Sequence, residues 1–259
     1  MDYLAPLRSE LKTQILLSLL DGEKKISELK TDVKTLETSI LHILKEFEKL
    51  NLTQKNAGIY KLTSIGVLEA QVCKQYFTFN ESVNNFKDFW LLHDVSAIPP
   101  RFLTKIGQLR DAQIVKSGGM ELQKVHDNFV KILGNSKSIK GISPIFHPDY
   151  ISAFQAVLGQ GCSIDLIVTS DVLSKTMAAS DISSLQSYLE EGKIRVFLNE
   201  DIQFALTVTN NALSLGLFNL SGEYDYSNDL VCTSQEGLEW GELLFECTRA
   251  KSTSLLGQQ

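Results

Sequence analysis

Hydroxyl, imidazole and ammonium groups cluster in the segment 35–45, and these are groups with which proteins contact nucleic acids. Six apolar residues at helical spacing predict an amphipathic helix here: Leu36, Ile40, Ile43, Leu44, Phe47 and Leu50. With the apolar face turned inward, five polar residues face outward: Thr35, Thr38, Ser39, His42 and Lys45. Hydroxyl and imidazole groups can read base edges in the major groove, and a lysine in the same row reaches phosphate.

Further polar residues stand beside this segment. Lys34 precedes the helix, and Lys55, Asn56 and Lys61 flank a predicted turn at 56–58 between two short strands. A hairpin in this position would bring these side chains to phosphates or to the minor groove of DNA. The alternative interpretation is that they form an ordinary solvated surface.

The charge pattern limits how strongly such a surface could bind. No arginine lies between Arg8 and Arg101, although arginine on guanine is the commonest specific contact to DNA. Glu37, Glu46 and Glu48 would repel phosphate, so we expect them to face away from it. The affinity of one module is therefore expected to be modest, which favours a homodimer on two half-sites.

The elements that must position these residues follow in a specific order. Helices are predicted at 7–20, 28–33, 36–50 and 64–79, and strands at 52–55 and 59–62. Ser27 and Thr63 stand where their side chains can cap the helices that follow. Three helices, a hairpin and a helix in this order predict a winged helix-turn-helix over residues 1–80.

Three stretches resemble archaeal winged-helix transcriptional regulators: Ile26-Ser27-Glu28-Leu29-Lys30, the run from Ser39 to Leu52, and Tyr60-Lys61-Leu62-Thr63-x-x-Gly66. The resemblance covers nearly all of residues 7–80. It implies a DNA-binding domain whose partner is double-stranded DNA. One departure is Asn51, where such regulators often carry glycine, but asparagine also tolerates the left-handed conformation that ends a helix.

In the remaining residues, the spacing of apolar side chains alternates between the helical period and the strand period. Residues 81–100 are predicted to form an aromatic-rich connector or dimerisation helix that ends at Ile98-Pro99-Pro100. In the domain predicted at 101–259, strands are expected at 112–116, 138–142, 162–168, 194–198, 204–209, 212–218 and 229–233. Helices are expected at 102–109, 122–133, 149–158, 171–179, 181–190 and 235–250. The predicted fold class is α/β (α+β overall): a winged helix followed by a mixed-sheet α/β effector domain.

This second half also resembles a family. Arg101-Phe102-Leu103 after the Pro-Pro stop, Ile142-Ser143-Pro144-x-Phe146 and Asp165-Leu166-Ile167-Val168-Thr169 are similar to the C-terminal domain of archaeal methanogenesis-type regulators. The resemblance spans about residues 95–250. It implies an effector-sensing or dimerisation domain, with a phospholipase-D-like fold as the candidate architecture. The phospholipase motif His-x-Lys-x-x-x-x-Asp does not occur, so no residues carry over a hydrolase activity.

A small-molecule effector is expected at loops that follow strands, where open α/β sheets bind ligands. The candidate residues are Ser117, Ser143, His147, Thr169 and Asp171. His147, next to Pro148 and Asp149, is the best single polar cluster. The competing interpretation is that Asp149 caps the following helix and that His147 lies on the surface.

Composition excludes several classes of protein. Of 259 residues, the first 80 hold 11 Lys/Arg and 10 Asp/Glu (net +1), and the rest hold 14 and 21 (net −7). Four scattered cysteines and four scattered histidines predict neither a disulfide framework nor a metal site. No cofactor motif, signal sequence or membrane-length apolar run occurs, so we expect a cytoplasmic protein without a cofactor.

The sequence therefore predicts a cytoplasmic, homodimeric, DNA-binding transcriptional regulator that is not an enzyme and has no catalytic residues. Its second domain would sense a small molecule or a protein partner and control operator binding. Two alternatives stay open. One is an adaptor whose winged helix binds protein, and the other is an enzyme in which His126 or His147 contacts an aspartate or a nucleophilic serine.

Overall fold

Two units, residues 1–80 and 81–259, each hold a hydrophobic core of their own. The computed structural model describes residues 9–118, 123–134, 136–179 and 187–255. Among these residues, no helix has both the length and the hydropathy that a membrane-spanning segment requires.

The first unit has the order predicted for a winged helix. Its elements are α1 (Glu10–Leu20), β1 (Lys24–Lys25), α2 (Ile26–Val33), α3 (Glu37–Lys49), β2 (Thr53–Asn56), β3 (Ile59–Leu62) and most of α4 (Ser64–Asn85), which ends five residues beyond residue 80. The antiparallel strands pair in the order β1-β3-β2. The apolar stripes of α1 and α3 meet in the core, where Leu16, Ile40 and Phe47 are fully buried. This agrees with the amphipathic pattern predicted for α3.

One residue of the predicted stripe is misplaced: the inference that Leu36 faces inward is wrong. Leu36 is the N-cap of α3, with extended backbone (φ −71°, ψ 141°), and is 71% exposed. Helical geometry begins only at Glu37, so the helical period does not apply to Leu36. At the other end of α3, Asn51 adopts the left-handed conformation (φ 58°) expected for the helix-ending residue.

Thr63 ties the hairpin to α4. Its Oγ1 donates a hydrogen bond to the carbonyl oxygen of Asn51 and accepts one from the N–H of Gly66 at 3.0 Å. A Cβ at Gly66 would stand 1.9 Å from the carbonyl oxygen of Leu52. The backbone of α4 can approach the hairpin this closely only because position 66 has no side chain.

The second unit is built on a mixed sheet. Its strands are β4 (Gln113–Lys116), β5 (Ser138–Ser143), β6 (Ser163–Val168), β7 (Ile194–Leu198), β8 (Phe204–Thr209), β9 (Leu213–Leu217), β10 (Asn228–Cys232) and β11 (Thr253–Ser254). They pair in the order β11-β7-β6-β5-β8-β9-β10-β4. Only β5, β6 and β7 run parallel to one another, and the other pairs are antiparallel. The predicted mixed sheet is confirmed.

Helices and one 3-10 turn surround this sheet. The helices are α5 (Lys87–Leu92), α6 (Pro100–Leu103), α7 (Lys124–Gly134), α8 (Pro148–Gly159), α9 (Ser170–Ala179) and α10 (Gln235–Arg249), and the 3-10 turn is Ile106–Leu109. The single helix predicted at 102–109 is thus two short pieces. The helix predicted at 181–190 lies partly outside the described residues, although 187–190 are helical.

Helix α10 covers one face of the sheet. A Cβ at Gly241 would stand 2.2 Å from Leu213 and 2.8 Å from Val208, so the helix lies directly on β8 and β9. Trp240 is fully buried, and its indole N–H donates to the carbonyl oxygen of Phe102 at 3.1 Å. Because side chains alternate along a strand, Thr207 and Ser214 face the opposite side of the sheet.

We expect Gly66→Ala to destabilise the protein by about 1–3 kcal/mol, because the added methyl group forces the backbone of α4 away from Leu52. Gly134→Ala is the matched control, since a Cβ at that position meets nothing within 4 Å. Urea unfolding of the full chain, followed by circular dichroism, measures both. Equal stability of the two variants would contradict this account of the Thr63–Gly66 junction.

Candidate nucleic-acid interface and ligand cavity

The solvent-facing side of α3 carries most of the polar residues predicted for it. Thr38, His42 and Lys45 are exposed, and Thr35 and Ser39 are half-buried. Positions 38, 42 and 45 lie on one face of a helix with 3.6 residues per turn. The face has hydroxyl, imidazole and ammonium groups, which together can bind both base edges and phosphates.

The basic residues around α3 are available for phosphate. Lys34, Lys45, Lys55 and Lys61 are exposed, and none forms an ion pair within the part of the chain that the structure describes. Lys34 ends α2 in the left-handed conformation (φ 46°), which places it directly before the N-terminus of α3. These four side chains keep their positive charge uncompensated by neighbouring carboxylates.

One of the three acidic residues of α3 is paired with a lysine. Glu46 forms an ion pair with Lys12 of α1, so its charge is directed into the unit. Glu48 is half-buried, and Glu37 is exposed in the first turn of the helix. Of the three glutamates, only Glu37 therefore carries an exposed charge near the N-terminus of α3.

The predicted wing is a tight hairpin. Ala57 and Gly58 both have positive φ (46° and 83°), as the two central residues of a type I′ turn require. Asn56 and Lys61 are exposed, and the ammonium of Lys55 lies 5.2 Å from the centre of the Tyr60 ring. Tyr60 is buried, so the ring holds this lysine against the hairpin.

Sequence reasoning missed Leu36 as a surface residue. Its exposed side chain follows Lys34 and Thr35 at the start of α3, where a recognition helix contacts bases. Apolar side chains in that position contact the methyl group of thymine. Leu36 leaves the apolar stripe because it is the N-cap before the first helical residue, Glu37, and no signal in the sequence marked that boundary.

A cavity of about 350 Å³ lies in the second unit, on the sheet face opposite α10. Its floor consists of small residues on β5, β8 and β9: Gly141, Ala205, Thr207, Ser214 and Gly216. Its walls are mainly apolar side chains of α8, α9, β6 and β7: Ile151, Phe154, Leu158, Ile164, Leu166, Val168, Val172, Leu173, Ile194 and Val196. Small residues in the floor leave the space that the larger residues enclose.

Asp229 is the principal polar group of this cavity. It is 7% exposed, and its Oδ2 accepts a hydrogen bond from the Ser214 hydroxyl at 2.8 Å. Its Oδ1 is buried and has no hydrogen-bond partner among the described residues. Burial raises the pKa of Asp229 to about 6, although the Ser214 hydrogen bond opposes the shift.

Two tyrosines of the cavity lie near this carboxyl group. A Cβ at Gly216 would stand 2.0 Å from the Tyr224 hydroxyl and 2.9 Å from Asp229 Oδ1, so glycine makes room for both. Burial raises the pKa of Tyr224 and of Tyr150 well above the ordinary value, and the Asp229 charge raises both further. Both phenols therefore stay neutral hydrogen-bonding groups.

The structure separates the five predicted effector residues. Ser143 and His147 line the cavity. Ser117 Oγ instead accepts the N–H of Val125 at 2.9 Å, and Thr169 Oγ1 accepts the N–H of Val172 at 3.2 Å, so both stabilise helix starts. Asp171 is exposed and paired with Lys175. His147, not Asp149, is the N-cap of α8, and its Nδ1 accepts the N–H of Asp149 at 3.4 Å.

His126, His147 and Asp149 bring three potential metal ligands together, with ligand atoms within 4.8 Å of one another. His126 Nε2 is 3.5 Å from Asp149 Oδ2, and His147 Nδ1 is 3.9 Å from it. Tetrahedral zinc with bonds of 2.0–2.2 Å needs ligand atoms about 3.4 Å apart. Only the His126–Asp149 separation is close to this value, and among the described residues His126 Nδ1 has no hydrogen-bond acceptor of the kind that orients a ligating histidine.

The key cavity residues escaped the sequence analysis. Ser214, Gly216 and Asp229 lie within strands that were predicted only from their apolar neighbours. For Ser214 and Gly216 the available signal was a small or polar residue at every second position of an otherwise apolar strand, whereas the strand of Asp229 shows no such alternation. That pattern marks a face that differs from the core, but it does not indicate which strands bring these residues together.

Comparison with known proteins identifies related sequences. The model of the middle domain of the methanogenesis regulatory protein FilR1 matches residues 122–251, and that of its N-terminal domain matches residues 5–79. The methanogenesis regulatory protein FilR1 of Methanothrix harundinacea (strain 6Ac) is 29% identical over 252 residues. These are 95% of this chain and 56% of that protein, so the chain spans little more than half of the relative's length.

Two solved structures are similar at lower identity. TrmBL2, an archaeal chromatin protein, is 12% identical with a TM-score of 0.46, covering 98% of both chains. Nuc from Salmonella typhimurium, a phospholipase D family member, is 13% identical with a TM-score of 0.40, covering 55% of this chain and 96% of that chain. At these TM-scores, the phospholipase-D-like architecture stays a prediction.

Asp229 gives the second unit a measurable pH dependence. Its folded-state pKa of about 6 lies above the unfolded value, so the folded state binds more protons and loses stability as pH rises. We expect the free energy of unfolding of Asp229→Asn, relative to that of the wild type, to rise by roughly 2–3 kcal/mol between pH 4 and pH 7. Urea unfolding of both proteins across this range measures the difference. A difference independent of pH would contradict the burial of an ionisable Asp229.

Proposed function

The chain belongs to the family of the methanogenesis regulatory protein FilR1, and from this premise we propose that it is a DNA-binding transcriptional regulator. The observation that carries the proposal is the polar, basic face of α3, formed by Thr38, His42 and Lys45, within a winged-helix unit. Its partner is double-stranded DNA, and it acts in the cytoplasm as a homodimer. The second unit senses an effector and controls binding to the operator.

In this proposal α3 enters the major groove, and its N-terminal residues contact base edges. Thr38, Ser39 and His42 read the bases, whereas Lys45 and Lys34 neutralise phosphates. The wing residues Lys55, Asn56 and Lys61 contact the adjacent backbone or the minor groove. The uncompensated charge of the lysines supports this division, because phosphate contacts require cations that are not already paired.

A homodimer follows from the small number of contacts that one module can make. Without an arginine on α3, a single winged helix offers few strong contacts to bases. Two modules on half-sites separated by about 10 base pairs, or a multiple of that spacing, contribute twice the contacts. An effector that favours one arrangement of the two modules would then change operator affinity.

The cavity supports a role in binding more than in catalysis. Its two serines donate their hydrogen bonds elsewhere: Ser143 to the carbonyl oxygen of Ile145, and Ser214 to Asp229. His126 Nε2 lies 3.5 Å from Asp149 Oδ2, which is the histidine–aspartate contact that the enzyme alternative requires, but among the described residues neither His126 nor His147 forms a hydrogen bond with a serine of the cavity. The proposed effector site thus includes Ser143 and His147 as lining residues with no nucleophile–base pair between them.

Fluorescence anisotropy with duplex DNA from the region upstream of the protein's own gene tests the proposal. We expect tighter binding to this duplex than to a scrambled one, and a loss of affinity as salt rises, because phosphate contacts release counterions. A salt slope near zero would contradict DNA binding. Equal affinity for both duplexes would favour an adaptor whose winged helix binds protein.

A pair of lysine variants separates the α3 face from general charge. We expect Lys45→Ala to weaken binding to both duplexes, since it removes one phosphate contact. The slope of log affinity against log salt concentration should fall in magnitude by about 1. Lys74→Ala on α4 removes the same charge from an exposed lysine outside α3 and the hairpin, and we expect it to leave affinity unchanged. Thr38→Ala with Ser39→Ala should reduce the preference between duplexes. Equal effects of both lysine variants would assign binding to net charge alone.

A further inference from the structure

The cavity of the second unit combines an apolar enclosure with a buried polar atom that has no hydrogen-bond partner among the described residues. About 350 Å³ is within the range of small-molecule sites in proteins. Side chains such as Phe154, Leu166, Val168 and Val172 surround most of this volume. A molecule that fills it must therefore present mainly hydrocarbon surface, because burial of apolar area drives binding there.

The unsatisfied atom is Oδ1 of Asp229. The carboxyl group is almost fully buried, and the Ser214 hydroxyl satisfies only Oδ2. Leaving a buried acceptor without a donor costs free energy, and a charged acceptor costs more than a neutral one. The cavity thus holds an acceptor that a ligand can satisfy by donating a hydrogen bond.

The charges around Asp229 favour a cationic donor. Within the described residues, no lysine or arginine lines the cavity. The nearby charged or titratable groups are Asp225, His93, Tyr226 and the neutral phenols of Tyr150 and Tyr224, and His147 also lines the cavity. His93 Nε2 lies 3.1 Å from Asp225 Oδ2, so this histidine is already engaged by another carboxylate. An ammonium group would be the direct counter-ion of Asp229.

The phenols extend this polar end of the cavity. Gly216 holds the Tyr224 hydroxyl and Asp229 Oδ1 against the same point of β9. A hydroxyl group accepts as well as donates, so a tyrosine oxygen beside the carboxylate can accept a second N–H from the same ligand head. Three N–H donors on one nitrogen match such a cluster of acceptors better than the single O–H of an alcohol.

We propose that this cavity binds a small primary amine with an apolar body, with its ammonium group on Asp229 and its hydrocarbon part between the sheet and α8 and α9. The inference deepens the proposed effector site, since such an amine would be the molecule that the regulator senses. A carboxylate ligand is excluded on this basis, because its charge would face Asp229. An alcohol of the same length binds through its hydrocarbon part but lacks the ion pair.

Isothermal titration calorimetry of the full chain at pH 7.5 tests the proposal with octylamine, 1-octanol and octanoate. We expect octylamine to bind at least tenfold more tightly than octanol, and octanoate not to bind. Asp229→Asn should lower the affinity for octylamine at least tenfold and change the affinity for octanol by no more than about threefold. The control Asp201→Asn removes an exposed carboxylate of the same unit and should change neither affinity.

Two further measurements do not depend on the folding of the Asn variant. In the wild type, lowering pH below 6 should weaken octylamine but not octanol, because protonation of Asp229 removes the ion pair. Ala205→Phe should abolish the binding of both by filling the floor of the cavity. Octanoate binding more tightly than octylamine, equal affinities for octylamine and octanol, or no binding of any probe would overturn the proposal.

Failure of this proposal and failure of the proposed function give different results. Anisotropy titrations with the upstream duplex, with and without octylamine, report DNA binding separately from amine binding. Specific DNA binding without amine binding would overturn the amine site and leave the regulator intact. Amine binding without DNA binding would leave the site intact and contradict the regulator.

Discussion

The second unit depends on covering both faces of one sheet, and the two faces are covered in different ways. On one face, Gly241 lets α10 lie directly on β8 and β9, where it packs closely against Leu213 and Val208. On the other face, Gly141, Ala205 and Gly216 provide too little volume to fill the space beneath α8 and α9. The cavity is the consequence of small residues on one side of strands whose other side is tightly packed.

A buried carboxylate in that cavity is a cost that the fold alone does not compensate. Asp229 lines the cavity and receives one hydrogen bond from Ser214, and its remaining oxygen is buried with no partner among the described residues. Replacing such a group with an apolar residue commonly leaves stability unchanged or improves it. Retention of an unsatisfied group at this position is consistent with a site whose partner comes from outside the chain, which fits the proposed sensing of an effector.

The first unit also folds by burying apolar faces, but it leaves one polar helix face exposed. Its helices bury one apolar face each, and the polar face of α3 is left to the solvent. Ion pairing neutralises Glu46 through Lys12, whereas Lys34 and Lys45 form no ion pair with any residue that the structure describes. The surface that remains is suited to a polyanion, although the chain as a whole carries a net charge of −6.

The sequence by itself determined the winged helix, because its helices and hairpin are encoded by local periods, the Thr63 cap and turn residues. The predicted Ser27 cap is wrong, because α2 already begins at Ile26. The sequence also determined most strands of the sheet and the polar face of α3. Only the tertiary structure decided that Leu36 is exposed, because the start of a helix depends on the chain around it. Only the structure, too, united Ser214, Gly216 and Asp229, and assigned Ser117 and Thr169 to helix starts. These assignments depend on strand order and register between distant segments, which local periodicity does not specify.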